Sequence, residues 1–114
     1  MRFARCLVVV AAVSAISAAA ASPLEKAAKQ DLVTLYLLSV AADRCGFPMS
    51  AKQANSLERA TKALVERLKL RPRENDALYS EADVKFEQQG PKACDRDGNF
   101  AKGFGQTLQQ LTGR

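Results

Sequence analysis

From Leu32 to Ala42 the chain is apolar at nearly every position: Leu32-Val33-Thr34-Leu35-Tyr36-Leu37-Leu38-Ser39-Val40-Ala41-Ala42. Around this run, apolar side chains recur at Leu24, Ala28, Leu32, Leu35, Leu38, Ala42 and Cys45, in steps of three and four that mark one helical face. Val33, Tyr36, Leu37 and Val40 form a second stripe, so the helix is apolar over most of its circumference and is expected to be buried on several sides. Ser22-Pro23-Leu24-Glu25 reads as a capping box that opens it. Gly46 fits the left-handed position after its last turn, Phe47 the hydrophobic residue beyond, and Pro48 forbids continuation.

Three weaker helical patterns follow. Ser50-Ala51-Lys52-Gln53 is a second capping box, with Met49 and Ala54 spaced for a hydrophobic staple. Leu57, Thr61, Leu64 and Leu68 then share a face, and Glu58–Lys62 and Lys62–Glu66 are charge pairs four residues apart. The segment Arg67 to Arg73 ends this helix. A third is predicted from about Glu74 to Gln89, with Leu78, Ala82 and Phe86 buried, Tyr79 beside them, and Gly90-Pro91 as terminator. A turn-rich connection from Lys92 to Asn99 carries Cys94. The last helix, Phe100 to Leu111, repeats Phe100, Phe104, Leu108 and Leu111, and Gly103 and Gly105 each weaken it by about 1 kcal/mol relative to alanine. No strand pattern interrupts the series, so the expected fold is all-α: a small four-helix domain, residues 22–114, packed around its first helix.

Composition changes this picture at the N-terminus. Arg2 and Arg5 precede an apolar stretch, Cys6 to Ala21, that ends in small residues. This is the pattern of a cleaved signal peptide over residues 1–21, too short for a stable membrane anchor. Arg2 and Arg5 would leave with it, so 15 of the 17 basic residues face 12 acids, a balance of +3. That mild charge gives no reason to expect nucleic acid as a partner. Cys6 would leave too, and Cys45 and Cys94 remain as a pair. In a small exported chain such a pair reads as a disulfide, here Cys45–Cys94. A periplasmic or secreted location follows.

Candidate chemistry is sparse. The chain has no histidine, hence no Ser-His or Cys-His nucleophile system and no ordinary base titrating near neutrality. Phosphate-binding glycine loops and the nucleophile-elbow sequence are missing as well. Asp95-Arg96-Asp97-Gly98-Asn99 matches the first three ligand positions of a calcium loop. However, Phe100 and Gln106 occupy the positions of its required glycine and bidentate glutamate, so the segment reads as a turn with helix-capping acids. No catalytic residue, metal or cofactor is therefore expected. Arg67, Lys69, Arg71 and Arg73 read as cations complementing a helix C-terminus and running into a solvated loop. They also offer a surface for anionic lipid, polysaccharide or an acidic protein.

A small exported helical domain whose single disulfide joins cysteines about fifty residues apart resembles the periplasmic acid-stress chaperones of the HdeA type. The likeness covers the signal peptide, the size and the Cys45…Cys94 spacing, and carries no individual functional residue across. It implies a holdase that opens in acid to hold unfolded clients. Protonating all 12 carboxylates would raise the side-chain balance from +3 to +15, and self-repulsion would loosen the fold. The leading expectation is a non-enzymatic protein that binds an envelope protein as accessory subunit, inhibitor or adaptor, with the holdase as alternative. The candidate partner surface comprises Leu35, Tyr36, Leu38, Arg67, Lys69, Arg71 and Arg73.

Overall fold

In a computed structural model, residues 22–113 of the chain are described. The expected signal peptide, residues 1–21, lies outside them. Four helices follow one another: α1 (Pro23–Cys45), α2 (Ala51–Leu68), α3 (Pro72–Glu87) and α4 (Asn99–Thr112). Among the described residues there is no strand.

The most apolar segment becomes the centre. α2 and α3 both pack along α1, and α4 packs along α2. Eight residues of α1 are buried, and Leu32 and Ala41 are sealed from solvent (0% exposed). Two core clusters share this helix. In one, Leu35, Leu38, Val40 and Ala41 meet Phe47, Leu57, Phe86, Phe104 and Leu108. In the other, Leu32, Val33 and Tyr36 meet Ala82 of α3, with Leu68, Leu70 and Leu78 packed alongside. The second cluster satisfies the stripe that α2 alone cannot cover, which is why the helix is apolar on two faces. Leu24 departs from the pattern. It carries the right spacing, yet it is 73% exposed, because beside it the last turn of α2 leaves only a shallow hollow lined by Arg67 and Leu68.

Helix ends follow local chemistry with three departures from expectation. Gly46 takes the left-handed conformation (φ 66°) and its N–H donates to the Ala42 carbonyl at 2.9 Å, as expected. The Ser50 box also forms: Gln53 N–H donates to Ser50 Oγ (3.1 Å) while Ser50 N–H donates to Gln53 Oε1 (2.9 Å). At Ser22 the backbone caps α1, but the side chain makes no capping bond, so the expected first box is not formed. α3 starts two residues early, with Pro72 in its first turn, where a missing N–H costs nothing. It also ends at Glu87, before Gly90-Pro91 is reached. Gly103 and Gly105 sit inside α4 with open space where a Cβ would stand.

The α1–α2 turn and the loop before α4 close on one another. Phe47 lies against Phe104, ring centroids 5.1 Å apart, and Phe86 meets Phe100 edge-on at 5.9 Å. Cys45, the last residue of α1, is bonded to Cys94, with Cα atoms 5.0 Å apart across 49 residues of chain. A loop of that length places the chain-entropy contribution at about 4 kcal/mol, a large fraction of what a domain of this size retains. Replacing Cys45 or Cys94 by serine is therefore expected to lower unfolding free energy by several kcal/mol in denaturant titrations. An unchanged midpoint would mean that the bridge contributes nothing.

Candidate functional site

The seven residues expected to form one partner surface fall into two sets. Leu35 (7% exposed), Tyr36 (9%) and Leu38 (5%) belong to the core, so they offer nothing to a partner of the folded chain. The run that made them conspicuous is buried because α2, α3 and α4 each take part of its circumference. Arg67, Lys69, Arg71 and Arg73 are all exposed, at the corner between α2 and α3.

That corner has a defined backbone. Lys69 adopts the left-handed conformation (φ 52°), the only non-glycine among the described residues with positive φ. Its N–H donates to Glu66 O (3.2 Å) and the Leu70 N–H reaches Val65 O (3.3 Å), the paired bonds of a Schellman stop. Leu70 and Val65 both pack on the second core cluster, which supplies the accompanying hydrophobic contact. Two residues on, Arg71 caps α3 by its backbone, and its N–H donates to Glu74 Oε1 (3.2 Å). Apolar contacts thus hold Leu68 and Leu70 inward while the alternating cations point to water.

Two polar contacts tie α1 to α3. The Tyr36 hydroxyl donates to Asn75 Oδ1, and its ring meets Tyr79 edge-on at 5.3 Å. Burial pushes the Tyr36 phenol pKa up, opposed by the Asn75 hydrogen bond and reinforced by the Asp76 charge. Arg44 donates to Glu87 and to Asp83 (2.6 Å), and its guanidinium lies 5.5 Å from the centre of the Phe86 ring. The Glu87 bond first, then the Asp83 charge, push its pKa further up. All three partners are substantially exposed, so this is a surface clamp whose strength falls with salt.

The Asp95–Asn99 segment forms successive turns, with Asp95 N–H to Lys92 O (3.1 Å) and Gly98 N–H to Asp95 O (3.0 Å). Gly98 caps α4 without help from a side chain, so the expected capping role of the acids is not realised. Among the described residues no three His, Cys, Asp or Glu side chains gather where a metal could be held, and no helix is long and apolar enough to cross a membrane.

Concave surface is shallow and divided among several hollows, most of them along α1 and one between the α1–α2 turn and α4. The largest groove, about 440 Å³, runs along the α1–α2 seam. Its floor is Ala42, Met49, Ala54 and Leu57, and Asp43, Glu58 and Lys62 stand on its rim, the last two joined at 3.1 Å. α4 contributes nothing to it, whereas another hollow on this seam is bounded by Thr107, Gln110 and Leu111 of α4. Met49 and Ala54 stood out in the sequence only as a staple; the seam that unites them with Ser39 and Asp43 depends on how α1 and α2 pack. The chain matches no protein-family profile, no curated protein and no solved structure. The likeness to the HdeA-type chaperones therefore rests on helical class and cysteine spacing.

Two outcomes are expected from these contacts. Lys69→Gly should stabilise the protein by about 0.5–1 kcal/mol in thermal or denaturant unfolding, since glycine removes the steric cost of the left-handed position. Tyr36→Phe should cost about 1 kcal/mol near neutral pH, by losing the Asn75 hydrogen bond. Because the folded phenol has the higher pKa, the tyrosine's contribution is complete below pH ~10 and is lost as pH rises through the folded value. The wild-type advantage over Tyr36→Phe should thus shrink above pH 10; an advantage that stays constant would refute the burial argument.

Proposed function

We propose that this is an exported, non-enzymatic protein that acts by binding another protein, as accessory subunit, inhibitor or adaptor. The observation that carries the reading is the open groove on the α1–α2 seam. An apolar floor with a charged rim is the usual form of a surface that receives the anchor side chains of a partner's amphipathic helix. Its size suits a few such side chains. The disulfide supports an oxidising compartment, where such a bond persists, and the signal-peptide pattern of residues 1–21 agrees with it.

A second reading, an acid-activated holdase, is favoured by a different observation. The Leu32–Ala42 surface is covered by three helices, and the single disulfide ties the end of α1 to the connection between α3 and α4. Protonation of the carboxylates would add repulsion and remove the Arg44 pairs with Asp83 and Glu87, while the Cys45–Cys94 bond limits how far the chain opens. The exposed stripe would then hold unfolded clients.

Cross-linking capture from the cell envelope at neutral and acid pH separates the two. A single stoichiometric partner at neutral pH, lost when Ala54→Arg fills the groove, is the expected result. Ala54 is exposed, so that variant should melt like the wild type. A heterogeneous set captured only below about pH 4, where ordinary carboxylates protonate, and indifferent to Ala54→Arg would establish the holdase instead.

A further inference from the structure

The α2–α3 corner places four cations within seven residues, Arg67, Lys69, Arg71 and Arg73, and no acid among them. All four are exposed, and none takes part in an ion pair; those among the described residues join Arg44 to Asp83 and Glu87, and Lys62 to Glu58. Glu66 and Glu74 flank the corner, and Glu74 is turned onto the Arg71 backbone N–H.

Helix-terminus electrostatics accounts for one of the four. Arg67 lies in the last turn of α2, where a cation complements the dipole. The other three stand where local physics favours another residue. Lys69 occupies a left-handed position suited to glycine. Arg71 stands at an N-cap suited to Ser, Thr, Asp or Asn, and makes no side-chain cap. Arg73 is in the first turn of α3, at the positive end of its dipole, which suits an acid. A fold selected for stability alone would not place cations at three successive unfavourable positions. Together with the start of α3, where the N-cap residue makes no side-chain cap, they concentrate positive potential on one corner.

The shape and the neighbouring apolar surface indicate the ligand. Four exposed cations strung over seven residues, of which Arg67 also lines a hollow, suit an extended anionic surface. Beside it, Leu24 is 73% exposed over a shallow hollow of about 290 Å³ that Arg67 and Leu68 also line, with Glu25 as its one acid. Exposed leucine next to long cationic side chains suits the boundary between lipid headgroups and acyl chains, where the leucine enters and the cations remain among phosphates. A polysaccharide has the charge without the apolar layer. We infer that the Arg67–Arg73 corner, with Leu24, docks this protein reversibly on the anionic headgroups of a lipid bilayer. The surface is distinct from the α1–α2 groove, so membrane docking and protein binding stand or fall separately.

Sedimentation of the full-length protein with vesicles tests this. Binding is scored as the ratio between phosphatidylcholine vesicles containing 30% phosphatidylglycerol and pure phosphatidylcholine vesicles, and each variant is compared with a wild-type chain carrying the same N-terminal segment, so that Arg2 and Arg5 contribute equally to both. The expected ratio is well above tenfold in low salt and collapses in 0.5 M NaCl. Arg67→Gln, Lys69→Gly, Arg71→Ser and Arg73→Gln should each weaken anionic binding about fivefold, with melting temperatures unchanged or raised for the last three and slightly lowered for Arg67→Gln, which gives up its favourable place at the end of α2. Leu24→Ser should weaken it severalfold. The four corner replacements combined should abolish anionic binding, whereas a control with the same change in net charge, Lys52→Gln, Arg59→Gln, Lys85→Gln and Lys102→Gln combined, should retain most of it. A ratio near one, an equal loss in the control, or capture by immobilised polyglutamate without binding to vesicles would overturn the proposal, the last in favour of an acidic protein. Inorganic phosphate at constant ionic strength should not release the protein; release would assign the site to free phosphate.

Discussion

Covering a helix that is apolar on most of its circumference is the constraint on which this structure depends. Leu32, Val33, Leu35, Tyr36, Leu38, Val40 and Ala41 point in too many directions for any one neighbour. α2 and α3 each take a side, and Phe104 and Leu108 of α4 complete the covering. Each neighbour is accordingly amphipathic and buries few residues of its own: Leu57 in α2, Ala82 and Phe86 in α3, Phe104 and Leu108 in α4.

The devices that hold the covering helices are concentrated near the C-terminal end of α1. Gly46 turns the chain, Phe47 enters the core, and Cys45 is joined to Cys94 just before α4. Arg44 reaches α3 through Asp83, Glu87 and the Phe86 ring. At the opposite end, α1 begins without a side-chain cap and Leu24 remains in solvent. Covalent and aromatic constraints therefore hold one end of the bundle, while the other is held mainly by Leu32, Val33 and Tyr36 against α3 and the end of α2. The cationic corner lies at this less constrained end. Lys69, Arg71 and Arg73 there occupy a left-handed position, an N-cap and a first helical turn, each of which locally favours another residue type.

Much of the architecture was legible in the residues. Helix number, the burial of α1, the Ser50 box, the Gly46 stop and the Cys45–Cys94 pairing all rest on periodicities and caps that act within a turn or two, or on a count of cysteines. The errors were equally local in origin. Pro72 lies in the segment expected to end α2 yet opens α3, because proline is compatible with both roles. α2 does end within the segment Arg67 to Arg73, but its last residue has no local marker, since Lys69 carries none of the glycine signal its left-handed position normally shows.

Sequence by itself determined an all-helical chain with one heavily buried helix and a single cross-link, because hydrophobic spacing and capping are properties of neighbouring residues. Only the tertiary structure decided which apolar residues remain on the surface. Leu24 and Leu32 share one helical face, yet one is exposed and the other sealed, and the difference is where α2 stops. Likewise, alternating cations that on a continuous helix would scatter around the axis become one corner because a left-handed lysine and an N-cap arginine reverse the chain between them. Burial and surface patterning depend on contacts between residues distant in sequence, and those exist only once the helices have packed.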